Sequence, residues 1–127
     1  MGNVSVDPDG YSPSDTILRL HRCIDSGING IDFIILPREE NESLLEEFIL
    51  TEDGRLDILK KLELDNYDGW EYSNNTGHKK DIVHLFHYKT SLIPRGVEDA
   101  KSQSVKLYIK ITWAKPTGVL IVISFHN

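Results

Sequence analysis

The chain has 127 residues, 39% of them hydrophobic and 27% charged, with 20 acidic against 14 basic side chains and a formal charge of −6. This length suits one domain with a core large enough to fold without staples. A single cysteine, Cys23, excludes an internal disulfide and fits a reducing, cytoplasmic location. The longest apolar run, Val119 to Ile123, is too short to cross a bilayer, and the first residues lack the basic and apolar regions of a signal peptide, so no membrane partner is expected.

Residues 1–11 read as a flexible leader with Asp-Pro-Asp-Gly turn chemistry, in which Asp7 and Asp9 are solvated. Residues 12–127 then read as a single α+β domain. Ser12-Pro13-Ser14-Asp15 is a helix start, with Ser12 as cap, Pro13 where no amide hydrogen is needed, and Asp15 placed to reach back to the cap. Ile17, Leu20, Cys23 and Ile24 share one helical face, Cys23 as a core thiol, and Gly27 stops the helix.

Ile31 to Leu36 is a short β-favouring run ended by Pro37. Glu42 to Leu50 and Arg55 to Leu64 follow as amphipathic helices separated by Asp53-Gly54. The aromatic alternation of Tyr67 to Tyr72, followed by the turn residues Asn74-Asn75-Thr76-Gly77, predicts a hairpin into a strand from Lys80 to Tyr88, with a loop from Lys89 to Ser104 after it.

The last quarter is the most regular. Val105, Leu107, Ile109, Ile111 and Trp113 alternate with Lys106, Tyr108, Lys110 and Thr112, the pattern of a half-buried antiparallel strand. After a turn at Ala114 to Gly118, a second strand carries Val119, Ile121, Ile123 and Phe125 on one face and Ser124 and His126 on the other. The fold class is therefore α+β, with N-terminal helices packed on a C-terminal antiparallel sheet.

Charge is divided along the chain. Residues 1–75 carry 17 acidic and 6 basic side chains, a net of −11, whereas residues 76–127 carry 3 and 8, a net of +5. Four of the five histidines, His78, His84, His87 and His126, lie in the basic part. If the apolar faces of the last strands pack on helices, Lys106, Tyr108, Lys110, Thr112, Ser124 and His126 share an open face. The preceding strand adds either His84, Phe86 and Tyr88 or His87 and Lys89, depending on which face is buried. Histidines for proton transfer and lysines for developing phosphate charge are the groups that RNA cleavage requires. The same residues also suit an ordinary solvated strand. A zinc centre on His84, His87 and His78 is not expected, because strand positions three apart point to opposite faces; no metal or cofactor is predicted.

The hairpin Leu107-Tyr-Ile-Lys-Ile111, turn, Val119-Leu-Ile-Val-Ile-Ser-Phe125 resembles the end of the motility quorum-sensing regulator (MqsR) family of bacterial toxins, mRNA endonucleases of RelE-like type within the wider barnase and EndoU group. The segment from Asp81-Ile82 through Tyr88 is similar to the strand before it in that family. The resemblance implies an endoribonuclease toxin of a toxin–antitoxin or toxin–immunity system, held by a cognate antitoxin or immunity protein and acting in its own or a target cell's cytoplasm. It places the family's strand lysine on Lys110 and its catalytic tyrosine on Tyr88; joined to the histidines of the sheet, this gives Lys110 on the phosphate and Tyr88, or His87 and His84, in proton transfer or base stacking. Lys106, Arg95, Tyr108, His126 and Lys89 would then hold the RNA. The acidic helical part supports a different expectation, a non-catalytic immunity or inhibitor protein that covers a basic partner.

Overall fold

A computed structural model of the chain describes residues 2–74, 77 and 80–127. Helix α1 (Pro13–Ser26) forms as its sequence dictates: Ser12 Oγ accepts from the Asp15 N–H at 3.1 Å, the Asp15 carboxylate accepts from the Ser12 N–H, and Gly27 caps the end. Leu20 and Ile24 are buried from it, with Ile17 and Cys23 packed alongside. Helices α2 (Glu39–Glu47) and α3 (Glu52–Lys61) both begin three residues before their predicted starts. Thr51 caps α3 by accepting from the Gly54 N–H at 3.0 Å.

Six strands form one curled, mixed sheet: β1 (Phe33–Ile35), β2 (Phe48–Ile49), β3 (Tyr67–Tyr72), β4 (Ile82–Pro94), β5 (Gln103–Trp113) and β6 (Leu120–His126). The order is β1-β6-β5-β4, and the outer edge of β4 is shared by β3 along its first half and by β2 at its end. Every pairing is antiparallel except that of β1 with β6. The helices cover one face, and the core between them and the sheet contains Leu20, Leu44, Leu59, Phe86, Ile109 and Phe125.

Three expectations are corrected. Phe48 and Ile49, expected as helix, are extended, because in that form Phe48 is buried and its backbone pairs with β4. The expected loop 89–104 is shorter, with strand at both ends: β4 runs to Pro94 and β5 begins at Gln103, paired from Lys89↔Lys106 to Leu92↔Gln103, and Leu92 is buried. In β6 the alternation breaks. Lys110 pairs with Ser124 and Ile111 with Val122, leaving Ile123 as an extra residue, so Val122 and Phe125 are both buried while Ile121 and Ile123 fall on the opposite face from the one predicted.

The β1 ladder ends where α2 takes over. The Asn41 side chain is fully buried, donates to the carbonyls of Leu36 and Ile123 at 2.8 and 3.0 Å, and accepts from the Phe125 N–H at 2.7 Å, completing the edge of β6 that β1 no longer covers. Asn41→Ala strands two carbonyls and one amide. A loss of about 2 kcal/mol is expected in urea unfolding at neutral pH.

The segment 2–11, expected to be a solvated leader, is docked, and its first residues Gly2 and Asn3 pair with the outer edge of β3. The Gly2 N–H donates to the Asp68 carbonyl at 2.9 Å, and Asn3 and Trp70 exchange both backbone hydrogen bonds at 2.7 and 2.8 Å. An open strand edge has unpaired amides and carbonyls, and this segment satisfies them. Asp7, expected in solvent, is 6% exposed, and its Oδ1 accepts from the N–H groups of Asp9 and Tyr11 at 2.8 and 3.0 Å. The turn residues Asn75 and Thr76, and His78, lie outside the described residues. No helix among the described residues is long and apolar enough to cross a membrane.

Candidate functional site

The face of the sheet away from the helices carries polar side chains in register. Lys89 of β4 pairs with Lys106 of β5; one step on, His87, Tyr108 and His126 stand side by side on β4, β5 and β6; the next row is Leu85, Lys110 and Ser124. Side chains two residues apart on a strand share a face, so these rows form one surface. A cleft of about 520 Å³ opens over it, lined by His87, Lys106, Tyr108, Lys110, Ser124 and His126, with Asp68 reaching in from β3. The Lys106 ammonium lies 5.5 Å from the Tyr108 ring centroid, and the Tyr108 and His126 rings are 6.5 Å apart.

His87 is oriented by Asp68. Its Nδ1 is 2.8 and 2.9 Å from the two carboxylate oxygens, so Nδ1 carries the proton and donates. In the neutral ring this leaves the Nε2 lone pair as the base, the arrangement used wherever an imidazole takes a proton from a hydroxyl. A register shift between Tyr67 and Gly69 turns Asp68 toward the cleft. Gly69 takes φ +100°, and a Cβ there would meet the Asn3 carbonyl oxygen at 2.6 Å, so glycine is required both by the backbone and by the docked N-terminal segment. Sequence reading missed Asp68. Its signal is the Asp-Gly pair inside an aromatic strand, Tyr67-Asp68-Gly69-Trp70, which marks a bulge.

The cleft gathers Lys110, His87, Lys106, Tyr108 and His126, with Lys89 in the row at its rim; three candidates are elsewhere. His84 and Tyr88 lie on the helix-facing side of β4 with Phe86, because burial of Phe86 decides the face of every second residue. His84 is enclosed: its Nδ1 is 2.9 Å from the Tyr67 hydroxyl, its ring stacks edge-on to Trp113, and Nε2 is 3.7 Å from Asp7 Oδ2. Burial outweighs the Asp7 carboxylate and pushes the imidazole down to about 4, so at neutral pH it is uncharged and accepts the Tyr67 hydroxyl proton at Nδ1. The Tyr67 phenol is pushed up to about 12 by the same burial and then by Asp7. Arg95 is held away from the cleft, its guanidinium donating to the carbonyls of Leu45 and Phe48 at 3.0 and 3.3 Å.

Cys23 is half-buried beside the core, and burial, followed by the Asp32 charge, pushes its thiol up and makes it a poor nucleophile. No group of three or more His, Cys, Asp or Glu among the described residues is arranged to hold a metal ion. Arg38 is a cation that the sequence did not single out. Its Nη1 lies 3.4 Å from the Ser124 hydroxyl, at the edge of the cleft.

No protein-family model matches the chain, and neither curated proteins nor solved structures provide a match. The likeness to the toxin family therefore rests on the residues of the C-terminal hairpin and the strand before it.

Proposed function

We propose that the chain is an endoribonuclease toxin of a toxin–antitoxin or toxin–immunity system, cleaving RNA on the open face of its sheet without a metal. The observation that carries this reading is the Asp68–His87 pair, at 2.8 and 2.9 Å, aimed into a cleft that also contains Lys110, Lys106 and His126. His87 Nε2 removes the proton of a ribose 2′-hydroxyl. The 2′-oxygen attacks the adjacent phosphorus, the bond to the 5′-oxygen breaks, and that oxygen takes a proton from the His126 imidazolium, leaving a 2′,3′-cyclic phosphate and a 5′-hydroxyl. The two histidines sit on strands flanking β5, about 10 Å apart at the backbone with Tyr108 between them, and both line the cleft in which the phosphate would lie.

Lys110, in the row beside them, stabilises the charge that develops on the phosphoryl oxygens. Lys106 and Lys89 hold the neighbouring backbone phosphates, and Tyr108, 49% exposed between the histidines, offers a stacking surface. An antitoxin or immunity protein would cover this face, and the reaction would take place in cytoplasm, the cell's own or that of a target.

The test is repressed expression in bacteria of the intact chain beside Lys110→Ala, with growth and bulk RNA integrity followed together. Arrest with RNA cleavage is expected for the intact chain, and Lys110→Ala should lower cleavage about 100-fold in vitro. Normal growth and intact RNA in both strains, with folded protein, would overturn the enzyme in favour of the acidic inhibitor.

A further inference from the structure

We infer that the cleft continues into a subsite for one unpaired nucleobase, with Arg38 holding the phosphate between that base and the cleaved bond; the inference rests on the ribonuclease reading. Beyond the row of Leu85, Lys110 and Ser124, the open face changes character. Thr112 and Ile121 follow in register, and with Val83, Leu36 and Ile123 they line a separate groove of about 240 Å³ whose floor is the buried Val83 and Thr112. No helix covers it. The extra residue in β6 creates it, since the break in alternation puts Ile123 and Ser124 together on the open face: Ser124 lines the cleft and Ile123 lines the groove.

The volume suits one flat ring system and is too small for a base pair. Along β5, Lys110 and Thr112 are two residues apart, about 7 Å and the reach of about one nucleotide in an extended strand. Arg38 stands where the two spaces meet, its Nη1 3.4 Å from Ser124 Oγ and 3.5 Å from the Ile123 carbonyl, with its side chain 45% exposed and Glu40 as an exposed partner at 3.7 Å. A cation beside an apolar groove, next to a cationic cleft, repeats the order of a nucleotide chain: phosphate, base, phosphate. The enzyme therefore selects single-stranded RNA, because the base must leave its stack and pair to enter.

The test is cleavage of a single-stranded RNA oligonucleotide series in which one position at a time is abasic, using the intact chain, Ile121→Ser and Arg38→Gln. With the intact chain, one position within two nucleotides of the cleaved bond should lose about tenfold in kcat/KM when its base is removed. Ile121→Ser should lower kcat/KM on the full oligonucleotide by a similar factor, chiefly through KM, and should abolish the penalty for the abasic position. Arg38→Gln should reduce the salt dependence of RNA binding by about one phosphate contact. Cleavage with a flat abasic profile, or an unchanged profile in a folded Ile121→Ser, overturns the subsite alone. Absence of both cleavage and RNA binding in the intact chain overturns the ribonuclease reading and the subsite with it.

Discussion

His87→Ala is expected to lower the rate of RNA cleavage by about 100- to 10,000-fold, the range in which a positioned acid or base contributes. The loss should fall on kcat, because the imidazole acts on the 2′-hydroxyl only as the proton moves, whereas Lys106 and Lys89 continue to hold the substrate. Asp68→Asn tests the other half of the pair. It keeps the volume of the carboxylate but removes the charge facing Nδ1, so its activity should lie between those of the intact chain and His87→Ala.

Stability should hardly change in either variant. Both side chains lie about a third exposed on the open face, at 33% and 28%, outside the core. Single-turnover cleavage of a labelled single-stranded RNA, with thermal unfolding of each variant, checks both statements. A folded His87→Ala protein within about threefold of the intact chain would remove the base role from this histidine.

Acid is expected to weaken the fold through the other histidine of β4. His84 has an imidazole pushed from its ordinary 6.5 down to about 4, chiefly by burial. Between these values the unfolded chain binds a proton that the folded chain refuses. The stabilisation is thus complete above about pH 6.5, falls as the pH drops toward 4, and amounts to about 3 kcal/mol over the window. The groups that face this ring are Asp7 and Asp9 from the N-terminal segment, Arg19 from α1, Tyr67 from β3 and Trp113 from β5. The two aspartates oppose the shift and Arg19 adds to it, and burial is the largest of the influences.

Urea unfolding at pH 7 and pH 4.5 should therefore show a fall in the intact chain that is largely absent from His84→Gln. An equal fall in both proteins would place the acid sensitivity elsewhere. Since His84 faces the helices and His87 the cleft, His84→Gln should change stability while leaving cleavage by the folded protein within a few fold.

The local elements were legible wherever one short-range rule governed them. Ser12, Pro13, Asp15 and Gly27 set the ends of α1 through backbone hydrogen bonds that span four residues or fewer. The strict alternation from Val105 to Trp113 determined which face of β5 is buried, so Lys106, Tyr108 and Lys110 were placed on the open side from sequence alone. The neighbouring strands were harder for identifiable reasons. In β4, Ile82, Val83 and His84 are all buried, Val83 at the floor of the groove on one face and His84 among Asp7, Tyr67 and Trp113 on the other, and this leaves no alternation to read. In β6 the extra residue Ile123 reverses the pattern partway, a change visible only once β5 supplies the register.

The sequence by itself determined the α+β class, the capped first helix, the C-terminal hairpin and the collection of cations on one of its faces, because each depends on residues close in the chain or on a period of two. The tertiary structure alone decided that Asp68 meets His87 across 19 positions of sequence, that His84 and Tyr88 turn away from Lys110, that Arg38 reaches Ser124, and that Gly2 and Asn3 pair with the edge of β3. These are long-range juxtapositions, set by how strands pair and by which apolar side chains the core has room to bury, and no window of neighbouring residues carries that information.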